Sequence, residues 1–494
     1  MFLNRYLRAI AANYFFLAVN TLFFLVITPV AIRLMGLAFY GLWAILTAIL
    51  LFSSVGTLGM SAVINKIGAE EGESALEHDA LITAGATILL PMATVIALVL
   101  LLSRAWISYH LVSDPVLQAQ LSAALVFTAL SLFPQFLSRV AQGYLLSQLR
   151  YDLSNMVDTG TNIALWSGAV WIAWTTRNLV LMALWGLLVQ VASFCAYLVL
   201  LSRRGVLHWR WEPLALRRMG DFSLFTFIQS LAISLYQNFD RIVVGIVLGP
   251  AVAGVYSVGT SVGLRLSILT GQITDVMVPY SSRKMSLQQS EGLYEVFRKV
   301  SQLINLMLMV SGALLILWMD TILRHWISSD YSDAYANTFR ILIVAYVLLS
   351  ASRPGHQTLV GIGQVRLAAM IYLGSTLVML TSLFFASARW GLAGAAAANL
   401  WMFLLLSYNV LAPRFLGEPL KVIGALVDLS RLMILPMATL ALAMFIPSSI
   451  LLRLFITCLI VLIASILVWK DAGIRERIRT LLRTLSRHPR RNHA

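Results

Sequence analysis

Gly36-Leu37-Ala38-Phe39-Tyr40-Gly41-Leu42-Trp43 and Gly249-Pro250-Ala251-Val252-Ala253-Gly254-Val255-Tyr256 are the two stretches that decide the architecture. They lie 213 residues apart and share a Gly-x4-Gly-x-aromatic pattern. Thr47 then falls on Thr260, and the charged segment 66–79 overlays 279–292. Trp106-Ile107-Ser108 pairs with Trp326-Ile327-Ser328 after a small shift, and Gln148-Leu149-Arg150 with Gln364-Val365-Arg366. An ordered series of matches at one period marks an internal repeat.

Between these anchors the chain is a succession of apolar runs. A helix needs about 20 apolar residues to cross a hydrocarbon core ~30 Å thick. The runs 12–32, 38–63, 80–102, 120–147, 153–175, 179–202, 222–248, 252–278, 299–319, 338–363, 368–388, 391–411, 432–447 and 449–469 meet that test, fourteen in all. No alternating pattern supports a β-barrel. The expected fold class is therefore an all-α polytopic membrane protein with about 14 transmembrane helices. The repeat divides it into two six-helix lobes, 1–202 and 222–412, joined by a basic cytoplasmic linker, 203–221. A helix pair, 413–469, and a basic cytoplasmic tail, 470–494, follow. Six spans per half preserve chain direction, so the repeats are parallel, around a central cavity suited to rocking between two open states.

Composition excludes the alternatives. Of 494 residues, 60% are hydrophobic and 12% charged, about half the charge of a soluble domain. A soluble enzyme and a disordered chain are ruled out. Cys195 and Cys458 sit in apolar runs and imply no disulfide framework. The formal charge of +15 falls mostly in loops on one side of the expected spans. That is the positive-inside pattern, which places both termini in the cytoplasm and leaves nucleic acid unneeded as a partner. The N-terminus reads as a retained first helix, and the tail as an anchor facing membrane lipids. The outer segments 103–119 and 320–337 are short. No large extramembrane loop, metal-binding acidic motif, phosphate-binding glycine loop or nucleophile constellation stands out, so neither catalysis, a cofactor nor a metal is expected.

Ionisable groups at membrane depth are costly and therefore candidates for function. Ser257, Ser261, Arg265, Gln272 and Asp275 recur along one face of the eighth span. Arg265 lies too deep to snorkel easily; it lines a cavity or forms an ion pair. Arg139 and Arg353 occupy similar places in the two halves, near Pro134 and Pro354. Facing one cavity they would form an anion site, since guanidinium matches phosphate oxygens; otherwise they snorkel to the cytoplasmic face. Asp240 is either a coupling carboxylate or half of an ion pair, and Asp158 a gate or a helix cap. Arg340 and Arg453, near the outer ends of their spans, read as headgroup anchors. Six arginines against Asp158, Asp240 and Asp275 favour an anionic cargo.

The stretch Asn238-Phe239-Asp240-Arg241-Ile242-Val243-Val244-Gly245, followed by Leu248-Gly249 and Gly254-Val255-Tyr256-Ser257, resembles the polysaccharide-biosynthesis (Wzx-type O-antigen and exopolysaccharide) flippases. These belong to the multidrug/oligosaccharidyl-lipid/polysaccharide exporter superfamily. The resemblance implies a bacterial inner-membrane flippase for an undecaprenyl-pyrophosphate-linked oligosaccharide, coupled to H+ or Na+, working beside other polysaccharide assembly proteins. Arg265, Arg139, Arg353, Gln272 and Ser261 are then the expected substrate contacts, and Asp240, Asp158 and Asp275 the coupling or gating groups. A multidrug/cation antiporter of the same superfamily is the rival in transport. A membrane polymerase or glycosyltransferase acting on lipid-linked sugars is the rival of another class.

Overall fold

In lipid every backbone polar group must be paired within the segment, which leaves long apolar runs only the helical solution. The computed structural model describes residues 2–57, 59–70, 75–205, 210–212, 231–275, 277–286, 292–418, 424, 434, 438–439, 452–460 and 462. Among the described residues there is no strand. The helices are α1 (Phe2–Met35), α2 (Leu37–Ser53), α3 (Met60–Glu70), α4 (Ala75–Leu111), α5 (Pro115–Ser147), α6 (Tyr151–Thr176) and α7 (Leu179–Ser202). After a π-helical turn, Leu235–Phe239, come α8 (Asp240–Leu248), α9 (Pro250–Thr274), α10 (Met277–Ser286), α11 (Leu293–Trp326), α12 (Ser329–Gly361) and α13 (Val365–Ala398). A 3-10 segment, Asn399–Leu406, leads into α14 (Ser407–Phe415). Ten described helices are long and apolar enough to cross a membrane. The chain is an all-α polytopic membrane protein, as its sequence predicts.

Two expectations are corrected. The outer segments 103–119 and 320–337 are almost wholly helical, because α4 runs to Leu111 and α5 starts at Pro115, while α11 runs to Trp326 and α12 starts at Ser329. Charged residues lowered the apolar signal there without ending the helices; Asp114 and Ser328 cap the next helix through their side chains instead. The run 38–63 is not one helix: it breaks after Thr57, and α3 begins at Met60. Most of the pair 432–447 and 449–469, most of the linker and the tail lie outside the described residues.

Repeat-equivalent glycines both take a positive φ. Gly36, between α1 and α2, has φ +78°, and Gly249, between α8 and α9, has φ +86°. Glycine adopts such a φ without the steric cost a side chain would add.

The described chain forms two compact units. The first comprises Met1–Val258 and Ala369–Ala398, the second Gly259–Ala368 and Asn399–Ala494. In the first, α5 is the spine, with Leu121, Leu125, Leu132 and Phe136 fully buried and α4 and α7 packed along it. The helix α1 is peripheral, only 11% of its most apolar window being buried; it is held to α6 by a ladder of amides. Asn155 donates to Asn13 at 2.6 Å, Asn20 to Thr159 at 2.7 Å and Asn162 to Asn20 at 3.0 Å. The start of α9 approaches α2 so closely that a Cβ on Gly41 would overlap the Pro250 carbonyl, and Gly254 faces Gly41 in return. Small residues permit such backbone contact, which is how helices associate where the solvent is itself apolar.

In the second unit α12 is the core helix, 78% of its most apolar window being buried. The rest of α9 lies on it through a stripe of small residues at intervals of four. Gly259 meets Leu342, Gly263 meets the Tyr346 ring, and Gly271 meets the Arg353 guanidinium, with Ser267 bonded to that same arginine. The described helical stretch 452–460 packs on α11, Ile460 being buried with Ala313 and Leu317.

Candidate functional site

A helical chain positions a polar side chain at membrane depth only where something supplies it with partners. The structure brings the predicted residues together in three places.

The first joins α5, α6 and α7. Arg139 Nη1 donates to Gln142 Oε1 at 3.0 Å, and Gln142 Nε2 donates to Asp158 Oδ2 at 2.7 Å. The other carboxylate oxygen accepts from the Tyr197 hydroxyl at 2.8 Å. Asp158 is therefore neither a helix cap nor directly paired: an amide carries the link to the arginine. Gln142 and Tyr197, which complete the relay, were not singled out from sequence.

The second surrounds Asp240, the residue on which the π-helical turn resolves into α8. Turns of this kind occur mostly at functional sites. The side chain is completely buried, accepting from the Tyr256 hydroxyl at 2.9 Å and from the Arg241 backbone N–H at 2.8 Å. Tyr236, on the π turn and itself buried, meets Tyr372 edge-on with ring centroids 6.4 Å apart.

The third lies between α9 and α12. Arg353 Nη1 donates to the carbonyl and the hydroxyl of Ser267, at 2.9 and 3.0 Å. Its Nη2 lies 3.6 Å from Asp275 Oδ1, and Gln357 also donates to that oxygen. Next to Arg353, α12 contains Pro354, which lacks a backbone N–H. Asn409, from α14, bonds the backbone there: Nδ2 donates to the Ala351 carbonyl at 2.7 Å, and Oδ1 accepts the Gly355 N–H at 2.8 Å.

Ser261 and Arg265 are half-buried on α9, while Ser257 is buried. The side chain of Gln272 lies outside the described residues. Asp275 continues the small-residue stripe of Gly259, Gly263, Ser267 and Gly271 by one more step of four, which brings it to α12.

Arg340 and Arg453 are not headgroup anchors. Both are buried, and both converge on Asp320 near the end of α11. Arg453 takes Asp320 with both terminal nitrogens, at 2.7 and 2.5 Å, and Arg340 Nη2 lies 3.2 Å from the same carboxylate. Arg340 also donates to the Ile316 carbonyl and to Asn337. Asp320 falls outside the span 299–319 and so escapes the sequence count of buried charges. Four of the six arginines therefore have a carboxylate directly or one amide away, and the net cationic excess is smaller than the count implies.

A groove of about 490 Å³ also opens between α6 and α7. Its lining is apolar, with Gly160, Ala164, Leu188 and Ala192 among its residues.

A family described as "Polysaccharide biosynthesis protein" matches residues 30–336. A Shigella flexneri protein bearing the name of an O-antigen transporter is 21% identical over 183 residues, or 36% of this chain and 42% of that protein. The chain thus matches less than half the length of that relative. Among solved structures, the lipid II flippase MurJ in an inward closed conformation superposes with a TM-score of 0.69 at 13% identity, over 94% of this chain and 99% of its own. An inward-facing multidrug resistance MATE family transporter of the MOP superfamily gives 0.61 at 15% identity, over 84% and 95%. At these identities the likeness is one of fold.

Proposed function

The chain belongs to the polysaccharide biosynthesis protein family, and from that premise we propose that it is a flippase. Its cargo is an undecaprenyl-pyrophosphate-linked oligosaccharide, carried from the cytoplasmic to the periplasmic leaflet of a bacterial inner membrane. The observation that carries this reading is that Arg139, Arg265 and Arg353 lie within candidate spans, Pro115–Ser147, Pro250–Gly271 and Ser329–Gly361, with side chains that are only partly buried. Guanidinium groups at that depth suit a pyrophosphate, which otherwise has no polar partner inside a bilayer. The fold shared with a lipid II flippase supports a lipid-linked cargo. The resemblance to an O-antigen transporter supports a saccharide on it.

In this reading the lobes are 1–202 and 222–412, both termini are cytoplasmic, and transport proceeds by alternating access. The energy comes from an H+ or Na+ gradient, with Asp240, Asp158 or Asp275 as the coupling group; Ser261 and Gln272 assist at the cargo. The test is reconstitution into proteoliposomes with lipid-linked oligosaccharide in one leaflet, read by its accessibility to an added enzyme. Gradient-dependent appearance in the opposite leaflet is expected, and its absence with correctly inserted protein overturns the reading. A second reading, multidrug/cation antiport, is favoured by the fully buried Asp240 carboxylate and the MATE-like fold. It predicts uptake of an organic cation in the same vesicles.

A further inference from the structure

The guanidinium of Arg353 is held unevenly. It lies over α9 at Gly271, where a Cβ would come within 3.0 Å of Cζ and of Nη2; any other residue would lift the group off the helix. One edge is fixed, because Nη1 donates to both oxygens of Ser267. The Asn409 amide fixes the backbone from which the side chain starts. The other edge is different. Among the described residues, Nη2 faces only a carboxylate oxygen 3.6 Å away, longer than a charge-assisted hydrogen bond. That carboxylate, Asp275, is 55% exposed, against 31% for the arginine side chain. An exposed ion pair at this separation contributes little to stability, so its persistence asks for another explanation.

We infer that Asp275 is a resident anion that keeps the free edge of Arg353 for a phosphoryl oxygen of the cargo and leaves it when that oxygen arrives. The inference rests on the flippase reading and deepens it, assigning the pyrophosphate to Arg353 and the competing charge to Asp275. Gln357 is the positioning residue. Its amide donates to Asp275 Oδ1, so the carboxylate keeps a partner after the guanidinium has turned to phosphate. Phosphate is the better ligand for the open edge, because its tetrahedral oxygens accept the parallel N–H bonds that a carboxylate at 3.6 Å does not engage. No bond is made or broken; one anion replaces another.

The same three residue types recur in the first unit. There Arg139, Gln142 one turn later on the same helix, and Asp158 on α6 form a line through the glutamine amide, at 3.0 and 2.7 Å. Arg353, Gln357 one turn later on its helix, and Asp275 just past the end of α9 are its counterpart. In both, a glutamine holds the carboxylate, and the arginine's tie to that carboxylate is the weaker link.

The test is a binding titration of the purified full-length protein, at fixed ionic strength, with inorganic pyrophosphate and with a short-chain isoprenyl pyrophosphate. Asp275→Asn removes the competitor and is expected to tighten both ligands by roughly three- to tenfold, about the effect of removing one weak competing ion pair. Asp275→Ser is expected to act in the same direction, which keeps the test decisive if the Asn variant fails to fold. Arg353→Gln is expected to abolish the gain, and Arg353→Lys to retain part of it. Affinity unchanged or weakened in both Asp275 variants overturns the exchange, since a purely structural carboxylate gives no gain. Wild-type transport of lipid-linked oligosaccharide is measured separately. Transport without the affinity gain removes the exchange alone, whereas the gain without transport removes the flippase reading and leaves an anion site.

Discussion

Arg453 and Asp320 meet through both guanidinium nitrogens and both carboxylate oxygens, at 2.7 and 2.5 Å, and so fasten the helical stretch 452–460 to α11. Trp318 adds a hydrogen bond to Thr457 at 3.0 Å one turn further along. Arg340 shares the carboxylate, so removing Asp320 leaves two buried guanidinium groups without their anion. Asp320→Asn is expected to cost about 3–5 kcal/mol, the usual penalty for breaking a buried pair from one side. Arg453→Met, which leaves Asp320 with Arg340, is expected to cost clearly less. Thermal unfolding of the detergent-purified variants measures both, and equal costs would mean that Arg340 takes no share in the cluster.

The Asn409 amide gives the next prediction. Asn409 bonds one donor and one acceptor of the α12 backbone beside Pro354. Asn409→Leu removes both buried hydrogen bonds, at about 0.5–1.5 kcal/mol each. It also loosens the segment that carries Arg353. Lower stability is expected together with weaker pyrophosphate binding. Asn409→Asp, which keeps the acceptor and loses the donor, is expected to fall between. A stability loss in Asn409→Leu with unchanged anion affinity would separate Asn409 from the arginine.

Much of this was legible in the residues, and the failures have physical causes. The helices follow from run length, because lipid leaves no other backbone solution. The repeat was visible in Gly36 and Gly249, and both glycines take a positive φ. The packing of α9 on α12 is written at Gly259, Gly263, Ser267 and Gly271, a stripe of small residues whose hydropathy says nothing of the helix they meet. Asp320 was lost for a different reason. Hydropathy ends a span where charge begins, while α11 continues to Trp326 because Arg340 and Arg453 neutralise the carboxylate inside it. Asn409 could not be read at all: its partners, residues 351 and 355, become its neighbours only once α14 is folded against α12.

Close backbone approach makes Gly41 intolerant. A Cβ there overlaps the Pro250 carbonyl, which is backbone and cannot swing away. Gly41→Ala is expected to destabilise the first unit by about 1–3 kcal/mol or more, the range for overpacking. Gly160→Ala, where a Cβ meets nothing within 4 Å, is the matched control and is expected to be neutral. Membrane-inserted yield and thermal unfolding compare the pair; similar losses in both would remove the steric explanation.

The last prediction concerns coupling through Asp240. Its carboxylate is fully buried and takes one hydrogen bond from the Tyr256 side chain, at 2.9 Å, and one from the Arg241 backbone. Asp240→Asn is nearly isosteric: its carbonyl oxygen can still accept the Arg241 N–H, and its amide NH2 can donate to the Tyr256 hydroxyl, which turns from donor to acceptor, so the fold has little reason to suffer. Tyr256→Phe does the reverse: it keeps the charge and removes the side-chain donor, at about 1–3 kcal/mol for a carboxylate left short of a partner. If Asp240 carries the coupling ion, Asp240→Asn is expected to slow gradient-driven transport at least tenfold at near-normal protein level. Tyr256→Phe is then expected to lower stability with a smaller effect on the transport rate per molecule. If the carboxylate serves only to hold α8 against α9, the order inverts: the Asn variant transports normally and the Phe variant loses protein and activity together. Initial rates in proteoliposomes, normalised to correctly inserted protein and taken with and without an imposed H+ or Na+ gradient, distinguish the two.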